Sequence, residues 1–277
     1  MSQIHPTAIV EDGAKIGENV SIGAYSYIAK DVTIGNNTTI GSHTLIEGIT
    51  TIGEDNEIFS HAVVGSIPQD LKFNGERVEL IIGNGNKIRE FTLINPGTQG
   101  GGGVTKIGNN NLLMGYVHIA HDVIVGNSCI LANGATLAGH VVLGNGVVVG
   151  GLTPIHQFVK VGDMAMIAGA SALSQDVPPY CLVEGNRAKL RGLNLTGLRR
   201  HIDISDINEL KKAYKELFSA QEPMQDVVER LVNSSSEHVV KMVKFIKESK
   251  RGIAMPRSKN WINIVVSVDR KRAIVCR

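Results

Sequence analysis

The sequence predicts a mainly β fold, a parallel β-helix of hexapeptide repeats followed by a small α-helical domain. From Ile107 to Leu173 an aliphatic residue returns at every sixth position without a miss. Apolar positions recur every three or four residues in an amphipathic helix and every two in a plain strand, so neither accounts for a period of six. Hexapeptide periodicity is instead the mark of stacked coils, each unit being one short strand plus a turn. Many of the 31 glycines directly follow the repeating aliphatic residue, as do Gly17, Gly23 and Gly35, where the chain must turn. A composition of 43% hydrophobic but only 4% aromatic residues suits a thin, repetitive core of Ile and Val.

In chain order, the first block keeps strict register from Ile4 to Val64, eleven units in all. The period lapses after Gly65, through Ser66 to Glu76, and resumes at Ile82, Ile88 and Ile94, which predicts a loop extruded near 66–81. A second lapse, Gln99 followed by glycines at 100–103, stretches one interval to thirteen residues and predicts a loop near 98–106. Long loops set into a rigid repeat are usually functional. The 26 units make nearly nine triangular coils, and with roughly 4.8 Å between stacked strands the prism is about 40 Å long.

The repeat is expected to end at Asp176-Val177-Pro178-Pro179, where two prolines remove donors that another rung needs. This divides the chain into a β-helix over 1–190, a helical domain over 191–255 and a tail over 256–277. Helical spacing appears in Ile207, Leu210, Tyr214, Leu217 and Phe218, with Ser205 as N-cap. A second helix starts at Pro223 and carries Val227, Val228 and Leu231; a third carries Val239, Val240, Val243 and Ile246 and ends by Gly252. Trp261 to Val268 has strand-like composition without an evident partner.

A net charge of +2, with no basic run inside the repeats, argues against nucleic-acid binding. No apolar run approaches the roughly 18 residues that span a bilayer. Cys129, Cys181 and Cys276 show no metal-ligand spacing and no secretory leader precedes them, which fits a reducing, cytoplasmic setting.

Three units make a coil, so every third corner shares a column, and Ile94, Ile119, Leu137, Ile155 and Leu173 fall in one. Asn95, His118, His121, His140 and His156 stand beside these corners. His121 and His140 lie on successive coils, with backbones roughly 5–6 Å apart. Simple alternation sends their side chains to opposite sides, so turn geometry decides whether they meet. A single corner histidine reads equally well as a solvated turn residue; four in one column within forty residues point to chemistry.

The segments His118-Ile119-Ala120-His121-Asp122, Ala138-Gly139-His140 and Ile155-His156-Gln157-Phe158 resemble the UDP-N-acetylglucosamine O-acyltransferase family, which opens lipid A biosynthesis. The likeness includes Gln69-Asp70-Leu71-Lys72, Asp176 to Tyr180, Glu184-Gly185-Asn186 and Asn194 to Arg200, and spans about residues 4–255. It implies a homotrimer of left-handed parallel β-helices with active sites between neighbouring prisms. It also implies transfer of an (R)-3-hydroxyacyl group from acyl carrier protein to the sugar. It further implies that no cofactor is bound and that the acyl group arrives on the phosphopantetheine arm of the carrier.

Carried over by residue, the resemblance makes His121 the general base, a role that suits imidazole near neutral pH. Asp122 orients it, and the Gly139 N–H stabilises the oxyanion. Asp70 and Lys72 hold the sugar and substrate, and His118 is a further substrate-binding residue. His140, His156, Gln157, Asn194 and Arg200 line the nucleotide and acyl sites, while Met166 and Gly169 form the acyl-chain ruler. The chain departs from the family at Asn95-Pro96, where many members have His-Arg, and at His201, where a third arginine is common.

One rival is the related N-acyltransferase acting later in the same pathway, whose extra N-terminal uridine-binding domain is not expected in a chain whose repeats begin at Ile4. Two other classes also compete. A zinc hydratase of the γ-carbonic-anhydrase kind is also a trimeric β-helix, and His118, His121 and His140 invite comparison with its ligands. Those hydratases space their histidines differently and lack a loop like 66–81. A non-catalytic scaffold is the other class, and the histidine column and extruded loops argue against it.

Overall fold

The computed structural model describes residues 2–219 and 222–257. Each hexapeptide forms two strand residues and a four-residue turn. Side chains alternate along a strand, so the repeating aliphatic residue points into the prism and its predecessor points out. Ile28, Ile46, Leu113 and Ile119 are accordingly buried in one continuous aliphatic core.

Twenty-five strands, from Gln3–Ile4 to Met166–Ile167, wind into three parallel faces. The chain is a left-handed parallel β-helix with a helical domain at its C-terminal end. Register repeats every coil, with Ile4 opposite Ile22 and Thr33 opposite Thr51. The last expected unit survives only as an isolated bridge between Ile155 and Leu173.

Turns on all three edges place their third residue in the left-handed region, and these side chains stack from coil to coil. On the edge joining the first and second faces, Tyr25, His43, His61, Phe91 and Tyr116 stack with ring centroids 4.9–5.2 Å apart. Inside the prism, the Asn56, Asn86 and Asn111 amides bond one another and backbone groups, so these three buried side chains are satisfied.

The strands do not stop at the two prolines. Cys181–Glu184 pairs parallel with Met166–Ile167, and Lys189–Leu193 returns antiparallel to it. Pro178 and Pro179 occupy the turn between, off the ladder, so their missing donors are not needed. The first face therefore runs past the expected boundary at residue 190, to Leu193. Both loops are shorter than expected, because Glu79–Ile82 and Val104–Ile107 are four-residue strands that take up their final residues.

The helical domain comprises α1 (Leu195–Leu198), α2 (Ile204–Phe218), α3 (Met224–Leu231) and α4 (Glu237–Glu248). The short α1 has no sequence signal of its own. Ser205 lies inside α2, whose N-cap position is Asp203, and Pro223 is the N-cap position of α3 rather than its first residue. Helix α4 ends at Glu248; Gly252, at φ 78°, shapes the segment that returns to the prism. There Asp176 N–H donates to the Gly252 carbonyl and Ala254 N–H to that of Asp176. The side chains of Ser249 and Lys241 reach Asp176 and Asp163, which completes the docking. The strand-like segment Trp261 to Val268 lies outside the described residues.

Candidate active site

Both loops leave the prism from the edge joining the second and third faces, and the histidine column occupies that same edge. His121 and Asp122 share one turn, in which Asp122 has φ 60°. This left-handed residue folds its carboxylate back, so that His121 Nδ1 lies 2.8 Å from Asp122 Oδ2. An ionised carboxylate only accepts, so Nδ1 carries the proton and Nε2 of the neutral ring remains an acceptor.

Asp122 is held on every side. Thr98 donates its N–H to Oδ1 at 2.8 Å and its hydroxyl to Oδ2 at 2.6 Å. The Asp122 N–H donates to Thr105 Oγ1 at 2.8 Å. A Cβ at Gly101 overlaps the Asp122 carboxylate, so only glycine lets the second loop lie this close. The glycine run therefore brings Thr98 onto the carboxylate.

One coil further on, Gly139 lies against the His121 ring, where an added Cβ falls 2.5 Å from Cε1 and 2.7 Å from Nε2. His140 meets the His121 ring edge-on at 5.1 Å and stacks on Phe158 at 4.3 Å. Burial pushes the His140 imidazole below its ordinary pKa; Asp122 and Asp70 oppose this, and His121 reinforces it. His118 is the outward residue of strand His118–Ile119 rather than a turn residue. Burial lowers its pKa as well, and its Nδ1 is buried without a hydrogen-bond partner.

The first loop brings Asp70 and Lys72 beside the second, and with Glu76, Thr98, Gln99 and Gly100 they line a cleft of about 300 Å³. Asn95 is buried and ties this loop down, donating to the carbonyls of Ser66 at 2.9 Å and Ile67 at 3.1 Å. A histidine side chain cannot donate twice from one nitrogen, so asparagine at this departure has its own use. At the other end of the column, His156 Nδ1 lies 2.7 Å from the Arg251 guanidinium. Arg251 also donates to the Ser174 carbonyl at 2.8 Å.

The structure does not bring every expected residue to this edge. Asn194 caps α1 and donates to the Met164 carbonyl at 3.0 Å, on the edge joining the third and first faces. Arg200 and His201 are exposed just after α1. Met166 lies on the first face and Gly169 in the turn that leaves it. Within one chain these five residues lie away from that edge, on other parts of the prism or just after α1.

His121, Asp122 and His140 present ligand atoms within 4.8 Å of one another, a set that does not include His118. The Asp122 carboxylate in that set is already engaged by Thr98 and His121. The sequence reading missed Thr98 and Arg251. The glycines at 100–103 signalled close approach near Thr98, whereas nothing in the spacing linked Arg251 to His156.

The stacked six-residue coils make this a hexapeptide-repeat protein, and the tautomer-fixed imidazole over a glycine at its edge suits the transferase class of that fold. Residues 13–48 and 104–139 match the family model for the bacterial transferase hexapeptide. Residues 176–254 match that for the second domain of UDP-N-acetylglucosamine O-acyltransferase. The chain is 69% identical to the acyl-[acyl-carrier-protein]–UDP-N-acetylglucosamine O-acyltransferase of Sulfurovum sp. (strain NBC37-1), over 93% of this chain and 99% of that protein. Identity to the Aliarcobacter butzleri enzyme of the same name is 62%, over 93% and 100%. The solved UDP-N-acetylglucosamine acyltransferase from Campylobacter jejuni superposes with a TM-score of 0.89 at 53% identity, covering 92% of this chain and all of that one. This chain belongs to the acyl-[acyl-carrier-protein]–UDP-N-acetylglucosamine O-acyltransferase family.

Proposed function

We propose that this protein transfers an (R)-3-hydroxyacyl group from acyl carrier protein to the 3-position of UDP-N-acetylglucosamine, the first step of lipid A biosynthesis. One observation carries the chemistry: Asp122 holds His121 with Nδ1 as donor, which leaves Nε2 free to take a proton. His121 Nε2 removes the proton of the sugar hydroxyl as its oxygen attacks the thioester carbonyl. The carbonyl oxygen gains negative charge, and the N–H of Gly139, a residue that packs against the His121 ring, stabilises it. When the carbon–sulfur bond breaks, the proton held by His121 passes to the departing thiolate of the phosphopantetheine arm. The products are the sugar ester and free carrier thiol.

Asp70 and Lys72 in the cleft hold the sugar, and His140, His156 and Gln157 extend the site along the same edge. Asn194, Arg200, Met166 and Gly169 join the site when another copy sets its own edge against this one. That arrangement supports a homotrimer with sites between prisms.

The test is acyl transfer from 3-hydroxyacyl carrier protein, measured for wild type and His121→Ala. Transfer by wild type with its loss in the variant supports the reading, and wild-type rates in the variant overturn the base. Light scattering checks the assembly, and an active monomer contradicts sites between copies.

A further inference from the structure

We infer that Thr98 is a positioning residue for the reaction, acting through Asp122 on the His121 base; this rests on the function proposed above. Asp122 Oδ2 accepts from both the Thr98 hydroxyl, at 2.6 Å, and His121 Nδ1, at 2.8 Å. The other oxygen accepts from the Thr98 backbone N–H. One residue thus grips both oxygens of a carboxylate that would otherwise rotate about its bond to Cβ. The Thr98 hydroxyl fixes the oxygen that faces the imidazole.

Thr98, Asp122 and His121 are all buried, with only 5–7% of their surface exposed, so water is a poor substitute for a lost donor. Thr98 reaches Asp122 only because the second loop folds back over the edge. The glycine at 101 permits that approach. Beneath Asp122, Thr105 holds the backbone N–H of the same residue. The loop breaks the hexapeptide period in order to lay a hydroxyl donor on the carboxylate behind the base.

Thr98→Val keeps the shape of the side chain and the backbone bond to Oδ1 but deletes the hydroxyl bond to Oδ2. A hydrogen bond to a buried charge carries enough weight for kcat to fall about 10- to 100-fold, with KM for both substrates nearly unchanged. Thr98→Ser retains the hydroxyl and restores kcat to within about threefold of wild type.

Double-mutant cycles separate positioning from simple support of the loop. With Asp122→Asn already present, Thr98→Val lowers kcat no further if Thr98 acts through the carboxylate. Additive losses, equal losses in the Ser and Val variants, or a Val variant with wild-type kcat each overturn the inference. Thermal melting accompanies every variant, and Thr98→Ala replaces Thr98→Val if the latter does not fold. If wild type shows no transfer, the proposed function itself fails; if His121→Ala or Asp122→Asn leaves transfer intact, it is the His121–Asp122 mechanism that fails, whatever Thr98→Val does.

Discussion

Asp122 Oδ2 lies 2.8 Å from His121 Nδ1, although the two residues are neighbours in the chain. Adjacent side chains on extended backbone face apart. The φ of 60° at Asp122 reverses that and makes the pair a local unit of one turn. The imidazole owes its tautomer to this contact, so its removal tests the whole arrangement.

His121→Ala is expected to lower kcat by roughly 10²–10⁴, the weight of a general base. The ring sits on an edge outside the aliphatic column, so the melting temperature should stay within a few degrees of wild type. Transfer kinetics and thermal melting on the same preparation check both halves. A variant that keeps more than a few per cent of wild-type kcat contradicts the assignment.

Gly139→Ala places a methyl group where the His121 ring lies, 2.5 Å from Cε1 and 2.7 Å from Nε2. The backbone at Gly139 is not in the left-handed region, so alanine fits the turn and it is the ring that must shift. Displacement of a base by a fraction of an ångström or more is expected to lower kcat by up to about 10². Steady-state kinetics measure this, and unchanged kcat means that the ring has room to spare.

Stability should depend on pH through His118 and His140. Burial is the first cause that lowers each pKa from 6.5; His121 adds to it at both, while Leu93 opposes it at His118 and Asp122 and Asp70 at His140. As pH falls through 6.5, the unfolded chain takes up protons that the folded chain refuses. Stability from these groups is therefore full above that pH and declines below it. His118→Gln removes one of the two, and thermal melts from about pH 8 to 5 should show a shallower decline than wild type. Equal slopes remove His118 from the account.

Arg251→Met tests the far end of the column. His156 Nδ1 lies 3.2 Å from the Gln157 carbonyl and 2.7 Å from Arg251; an arginine is always a donor, so the shorter contact makes Nδ1 an acceptor and leaves the proton of the neutral ring on Nε2. Without the guanidinium the ring loses that orientation. KM for the nucleotide sugar should rise roughly fivefold, about the weight of one hydrogen bond, while kcat changes less because His121 is untouched. A larger effect on kcat than on KM places Arg251 in another role.

The columns of the prism were legible because a single rule, one aliphatic residue in six, repeats without interference from distant contacts. Ile94, Ile119, Leu137 and Ile155 align on that rule alone. The contact of His121 with Asp122 was not legible from alternation, since it depends on which turn position adopts the left-handed conformation, and spacing alone does not select it. Thr98 was hidden because its partner lies 24 residues away across a loop that breaks the count. Arg251 reaches His156 across 95 residues, through docking of the helical domain. Strand Cys181–Glu184 escaped notice because it lacks the hexapeptide corner yet still finds an open ladder beside Met166–Ile167.

The acyl-chain ruler is the remaining test. Gly169 lies in the turn after Met166–Ile167, on the same edge as Leu152 and Tyr116, away from His121. A Cβ there meets only the Gly151 oxygen at 3.4 Å and nitrogen at 3.6 Å, and the backbone is not left-handed, so the fold accepts a side chain that projects outward. If a neighbouring copy presents this edge to the groove, Gly169→Met fills space that long acyl chains occupy. Each methylene denied burial is worth about 0.8 kcal/mol, close to fourfold in kcat/KM, so excluding several shifts preference steeply towards shorter chains. The measurement is kcat/KM over a series of 3-hydroxyacyl carrier proteins for wild type and variant, with melting as the check on folding. A chain-length profile that does not move shows that Gly169 does not bound the groove.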